Sequence, residues 1–461
     1  MLDKSTANDV IQAALECGAS FCDIFVEKTT NQSISFRSSE VKDIKSGIDF
    51  GIGVRLIFGT QALYAYTNSK KKDDLISMTR NLAAYYKKDQ TVNPGTLNFS
   101  KPVDYKTVES IGDTDVSLEH KLSVLKKLDT LTRKQSDKIS QVNLGLWQFK
   151  QNIEVFDSEG LYATEERPYI RLSSTAISAD GNNQSTGSDN PGARGGWDYI
   201  EKVNLEKLAK DITKQSLTVL NADACPAGTM PVVIDNGFGG VIFHEACGHL
   251  LETTSVEKKA SVMWDKKGEM IAHEALSAVD DGTIAGEWGS LSIDDEGMET
   301  QKTQLIKNGR LENFMCDRLG HMKTGHPRTG SGRRQNYKYA PSSRMRNTFI
   351  EGGNHKLEEL IGSLGDGLYA KKMGGGSVNP GTGEFNFSVR EGYLVKNGKI
   401  DKAIKGATLI GKGADVLKKI SMVGDNFELS VGMCGSVSGS IPANVGQAAI
   451  KVDEILVGGQ A

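Results

Sequence analysis

Residues 244–249 read His244-Glu245-Ala246-Cys247-Gly248-His249. The flanks are helical in character: Val241, Ile242 and Phe243 before, Leu250 and Leu251 after, with Gly239 and Gly240 marking the start. In a regular α-helix, side chains four apart lie roughly 40° apart around the axis, and side chains five apart about 140°. Two histidines five apart therefore cannot share one helical face. Either a π-bulge interrupts the helix or the helix ends near Gly248. Glycine tolerates the backbone angles that either distortion asks for.

Two imidazoles and a carboxylate within six positions suit a zinc-dependent hydrolase. Neutral imidazole nitrogen is a preferred zinc ligand, and a carboxylate beside a zinc-bound water can take its proton. A hydrogen-bonded core pair of histidines is the structural alternative. Seven histidines in 461 residues make such a cluster rare by chance. A catalytic zinc takes three protein ligands and keeps one position open. Four residues compete for the third place. Cys434, in Gly432-Met433-Cys434-Gly435-Ser436, has glycines near it that let the backbone approach an ion. Cys247 lies about one helical turn after His244, and Glu269 and Glu274 lie downstream. An isolated cysteine also serves as a small buried hydrophobe.

Composition narrows the class. A chain of 461 residues can form two domains with sizeable cores. The net charge of −3 gives no basic footprint, so nucleic acid is not an expected partner. Lys70-Lys71-Lys72 is followed by Asp73 and Asp74 and reads as a solvated helix face. No apolar run approaches the roughly 20 residues of a membrane span. Met1-Leu2-Asp3-Lys4 lacks a secretory apolar region. Six cysteines without a CxxC pair do not read as a disulfide scaffold, and a reducing cytoplasm is the expected location.

The pattern predicts an α+β fold. Helices are expected over 7–16 (stopped by Gly18), 74–86, 117–135 and 205–220. In the third, Leu118, Leu122, Leu125 and Leu128 are spaced for one apolar face. Strands are expected over 21–27, 34–36, 51–58 and 171–179, with a hairpin of 147–156 and 161–164 turning at Asp157-Ser158-Glu159-Gly160. Residues 181–196, rich in Gly, Asn and Ser, read as an exposed loop. Cys225-Pro226-Ala227-Gly228 suggests a boundary between an N-terminal α/β sheet-and-helix domain (1–224) and a C-terminal domain (225–461). The second half is β-rich, with Asn308-Gly309 and Asn397-Gly398 as hairpin turns. A barrel-like antiparallel sheet carrying the site helix is the expected architecture. Gly374-Gly375-Gly376 reads as a turn, or as bare backbone on which an extended peptide could lie as an added strand. Arg333-Arg334 could hold a carboxylate or an internal ion pair.

Ordered blocks through the C-terminal half resemble the TldD/PmbA family of metallopeptidases, on the TldD side. They run from His244-Glu245-Ala246-Cys247-Gly248-His249-Leu250-Leu251-Glu252 through Val279-Asp280-Asp281-Gly282-Thr283 and Ser292-Ile293-Asp294-Asp295-Glu296-Gly297. Thr329-Gly330-Ser331-Gly332-Arg333-Arg334, Arg344-Met345-Arg346-Asn347-Thr348 and Gly432-Met433-Cys434-Gly435 continue the series. The resemblance implies that His244, His249 and Cys434 are zinc ligands and Glu245 is the general base. It implies cleavage of unfolded or extended peptides inside an enclosed dimer, either a homodimer or a heterodimer with a PmbA-like subunit. PmbA-type members lack the histidine motif, so the chain resembles the catalytic member. Two rivals stand beside this reading: a non-catalytic peptide-binding or regulatory subunit of a protease complex, and a zinc hydrolase of small amides.

Overall fold

The computed structural model describes residues 1–86, 99, 103–104, 108–379 and 381–459. Its N-terminal half is built on an eight-stranded sheet. Gln61–Thr67, Glu40–Phe58, Phe21–Arg37, Ile139–Asp157 and Tyr162–Asp180 follow one another as antiparallel neighbours. Three short strands, Val103–Asp104, Asn183–Asp189 and Gly192–Ala193, pair with Tyr162–Asp180. The four longest strands run 17 to 19 residues, so pieces expected separately at 21–27 and 34–36 are one strand. Residues 162–164 and 171–179 likewise share a strand, which starts one residue after the expected 161.

Helices cover this sheet in two groups. Lys4–Glu16 is capped by Asp3, which accepts a hydrogen bond from Thr6 N, and is stopped by Gly18 at φ 88°. With Lys72–Ala83 it covers the first end. Leu118–Arg133, capped by Ser117, and Leu205–Leu220, capped by Asn204, cover the other. The apolar face of Leu118–Arg133 is narrower than the leucine spacing suggested. Leu125 and Leu128 are buried, whereas Leu118 is exposed. Buried Lys121 completes that face, with its ammonium paired to Asp115 at 2.7 Å. Burying an ammonium requires such partners.

Residues 181–196 are not an exposed loop. Asn183–Asp189 and Gly192–Ala193 join the sheet there, and Gly187 lies against Leu205–Leu220. A Cβ at Gly187 would stand 1.9 Å from Ile212 O, so glycine is what lets strand and helix touch.

The C-terminal half contains the expected barrel. Gly367–Val378, Gly228–Ile234, Ile450–Gly458, Ala407–Lys412 and Glu384–Lys396 pair in sequence, and the last closes back on the first. Four of its pairings are antiparallel. The fifth, 232–234 with 368–370, is parallel because the long intervening chain returns from the same end. Both Asn-Gly turns form, with Asn308 at φ 46° and Asn397 at φ 50°, each followed by a positive-φ glycine. Gly374-Gly375-Gly376 is not a turn; it lies within Gly367–Val378, in a stretch where pairing with 384–396 slips.

A six-stranded sheet packs beside the barrel: Arg310–Leu311, Lys302–Lys307, Ala278–Asp281, Asn347–Ile350, Gly439–Gln447 and, at its edge, Glu428–Ser436. Barrel, sheet and the helix Val241–Ala246 share one apolar core that includes Ile242, Phe243, Leu368, Phe387, Ile350 and Ile441.

Two buried ion pairs and one exposed pair fasten the two halves together. Arg55 reaches Asp23 on its own sheet and Glu296 across the junction, with Nη1 2.7 Å from Oε1. Arg167 pairs with Glu165 and with Asp295 Oδ1, at 2.7 Å each. Arg318 holds Glu159 through two hydrogen bonds of 2.8 and 2.9 Å. Arg334 stacks on Phe25, and its backbone N–H donates to Asp295. Arg333 donates to Met345 O. The Arg333-Arg334 block is thus internal structure rather than a ligand clamp.

Candidate metal centre

The helix carrying His244 starts from a 3-10 turn at Gly237–Gly240, where Gly240 lies against the backbone of Gly446. It runs only from Val241 to Ala246. At Cys247 the backbone leaves helical geometry (φ −137°, ψ −49°), and a 3-10 turn, Gly248–Leu251, carries His249. Of the two distortions the spacing allowed, the chain takes the ended helix. The break falls at Cys247, and Gly248 is needed for space: a Cβ there would sit 2.3 Å from Met345 Sδ. The result brings the two imidazoles to 5.1 Å between ring centroids, nearly perpendicular at 88°.

Cys434 comes from the edge strand Glu428–Ser436. Alternation turns its side chain inward, 3% exposed, while Met433 points out. Its Sγ lies 3.3 Å from His244 Nε2 and 3.5 Å from His249 Nε2. One ligand atom from each of the three residues falls within a 4.8 Å group. With zinc–sulfur near 2.3 Å and zinc–nitrogen near 2.0–2.1 Å, tetrahedral geometry puts sulfur about 3.6 Å from nitrogen. Both sulfur–nitrogen distances match that geometry, and two imidazoles with a thiolate are a donor set that suits the ion.

Electrostatics favour the thiolate form that a metal-ligating cysteine must take. Burial opposes ionisation of Cys434, but His244 and His249 outweigh it and hold the thiol well below its ordinary range. Burial likewise opposes charge on His249, and Glu252 and Cys434 override it, raising the imidazole well above its usual value. Glu245 stands beside the triangle, with Oε2 3.8 Å from His249 Nε2. Burial raises its carboxyl above the ordinary range, against the pull of the two histidines. It opens on a cavity of about 300 Å³, also lined by Ser255, Gly376, Val378 and Met433. A larger cavity of about 1050 Å³ on the N-terminal half includes none of the four residues. Donor chemistry, not volume, picks out this site.

The other candidate ligands lie apart. Glu269 and Glu274 are exposed. Cys247 is fully buried in the apolar core, where burial pushes its thiol far up. Two polar residues went unnoticed in the sequence. Glu252 Oε2 lies 3.0 Å from His249 Nδ1, and Arg344 donates to Cys434 O at 2.5 Å. A carboxylate three residues past a histidine on a turn was the only signal for the first.

A histidine on a helix, a second on the turn that follows it, a strand cysteine and an adjoining carboxylate on this fold define a metallopeptidase class. Sequence profiles described as PmbA/TldA metallopeptidase domain 1, central domain and C-terminal domain match residues 22–84, 112–220 and 227–459. A Haemophilus influenzae protein named metalloprotease TldD homolog is 35% identical over 95% of this chain and 93% of its own length. A zinc metalloprotease TldD homolog of Saccharolobus solfataricus is 27% identical over 97% of this chain and 99% of its own. The chain belongs to the PmbA/TldD metallopeptidase family. Its fold matches a Thermotoga maritima crystal structure described as a candidate modulator of a DNA gyrase, with TM-score 0.78 and 20% identity over 99% of this chain and 100% of the other. Among the described residues, no helix is long and apolar enough to cross a membrane.

Proposed function

We propose that this metallopeptidase hydrolyses peptide bonds of unfolded or extended chains, with zinc held by His244, His249 and Cys434 and with Glu245 as general base. The convergence of the three donor atoms beside Glu245 carries the reading. The name of the Saccharolobus relative supports zinc as the metal. Bound there, zinc would supply Lewis acidity toward water and toward the scissile carbonyl. Glu245 takes the proton of the attacking water and passes it to the leaving amine.

An extended substrate is favoured by the cavity wall. Gly376 and Ser377 line the cavity and are exposed, on a strand whose pairing with 232–234 ends at Ala370, so backbone is accessible beside the site. A peptide can add there as a strand, whereas a folded domain cannot. An enclosed homodimer, or a heterodimer with a PmbA-like subunit, in the cytoplasm is part of the same proposal.

Metal analysis tests the ligands. His244→Ala and Cys434→Ala should each lose zinc, and Cys247→Ala should retain it. Loss in Cys247→Ala with retention in Cys434→Ala would reverse the assignment. Substrate form is tested separately. One protein offered unfolded and folded should be cleaved only when unfolded, and equal rates would refute strand addition at a confined site.

A further inference from the structure

The metal centre draws its ligands from two chain segments 185 to 190 residues apart. Something must hold the turn bearing His249 in register with the strand bearing Cys434. Two buried residues span that gap, and the proposed chemistry uses neither.

Glu252 is 2% exposed and Arg344 0%. Glu252 Oε2 faces His249 Nδ1 at 3.0 Å, on the side of the ring away from the donor triangle. A carboxylate in that position takes the Nδ1 proton as a hydrogen bond and leaves the Nε2 lone pair free for an ion. Arg344 grips the cysteine hairpin at three points: Cys434 O at 2.5 Å, Ser438 Oγ at 2.8 Å and Gly439 O at 2.9 Å. The two residues then meet, with Arg344 Nε 3.9 Å from Glu252 Oε1. Among the described residues those two atoms are buried without a hydrogen-bond partner, so each is the nearest available complement of the other. His244 has no such support, since its Nδ1 is also buried without a partner.

We infer that Glu252 and Arg344 are positioning residues that lock His249 to the Cys434 strand and so pre-form the metal site. The inference rests on the metal reading above and adds the device that assembles it. Glu252 sets the tautomer and ring orientation of His249. Arg344 compensates the buried carboxylate and fixes the height of the Cys434 backbone. The planar guanidinium fork is required, because one cation must serve the carboxylate and several carbonyl and hydroxyl oxygens in different directions.

The test uses the full chain with Glu252→Gln, Glu252→Leu and Arg344→Lys. Zinc affinity is measured by competition with a chromogenic chelator. The thiolate-to-metal absorption of the cobalt(II)-substituted protein reports ligand geometry, and melting of the zinc-free chain reports folding. Glu252→Leu should bind zinc roughly 10–100-fold more weakly, the usual cost of losing such an outer partner, with an altered cobalt spectrum. Glu252→Gln still accepts from Nδ1, so it should keep the spectrum and weaken binding several-fold through the lost charge. Arg344→Lys should disturb the thiolate band. A folded Glu252→Leu with wild-type affinity and spectrum overturns the inference. Folded Glu252→Gln with wild-type affinity does so even if Glu252→Leu does not fold. Wild-type protein that takes up neither zinc nor cobalt would instead overturn the metal reading, and this inference with it.

Discussion

Glu245→Gln should keep its zinc and lose peptide-bond hydrolysis by roughly 10²–10⁴-fold, the span expected for removal of a general base. Glutamine has the size and polarity of glutamate but cannot take a proton from water at neutral pH. None of the three converging ligand atoms belongs to residue 245, so the ion should stay. The carboxylate also lies on the open side of the site, facing the cavity. Zinc content and cleavage rate on the same preparation decide the matter. Zinc lost together with activity would make Glu245 a ligand. Cleavage at the wild-type rate would place the base elsewhere.

Arg55→Met should lower stability by roughly 3–5 kcal/mol, the usual consequence of removing one partner from a buried ion pair. Arg55 is 1% exposed and stands between Asp23 and Glu296, both buried. Without it, two carboxylates lose their main compensation. Burial alone would raise the Glu296 carboxyl, but Arg55 and Arg328 hold it down at about 2. Its folded pKa therefore lies below the ordinary value of 4.5. The stabilisation is full above that value and drains away as pH falls toward 2. The gap between wild type and Arg55→Met should accordingly be wide at pH 7 and narrow progressively below pH 4.5. Denaturant midpoints across that range test it. A gap that stayed constant or widened in acid would show that Arg55 acts by packing rather than by charge.

The sequence was most legible where local chemistry dictates local shape. The helix end at Gly18, both Asn-Gly hairpins and the broken helix at 244–249 all follow from short-range rules. Cys434 needed the family resemblance, because geometry across nearly 190 residues leaves no spacing to read. The long N-terminal strands looked like fragments because their burial changes along the chain. Glu40–Phe58 is exposed through its first half and buried through its second, so no single alternation runs its length. Residues 181–196 misled because glycine and serine signal a loop, whereas here small residues serve close packing on a helix. The arginine network was invisible for a different reason. A buried guanidinium and a solvated one are spelled alike, and only the fold reveals which carboxylate waits opposite.

That network has a dynamic consequence. Opening the junction between the two halves would strand Arg55, Arg167 and Arg318 away from Glu296, Asp295 and Glu159. The two buried pairs alone make such an excursion costly by several kcal/mol each. The seam between the two halves is therefore no inexpensive hinge. Any widening of the cavity of about 300 Å³ beside the histidines must then come from the strands that line it, at 376–378 and 433–436, rather than from a parting of the halves.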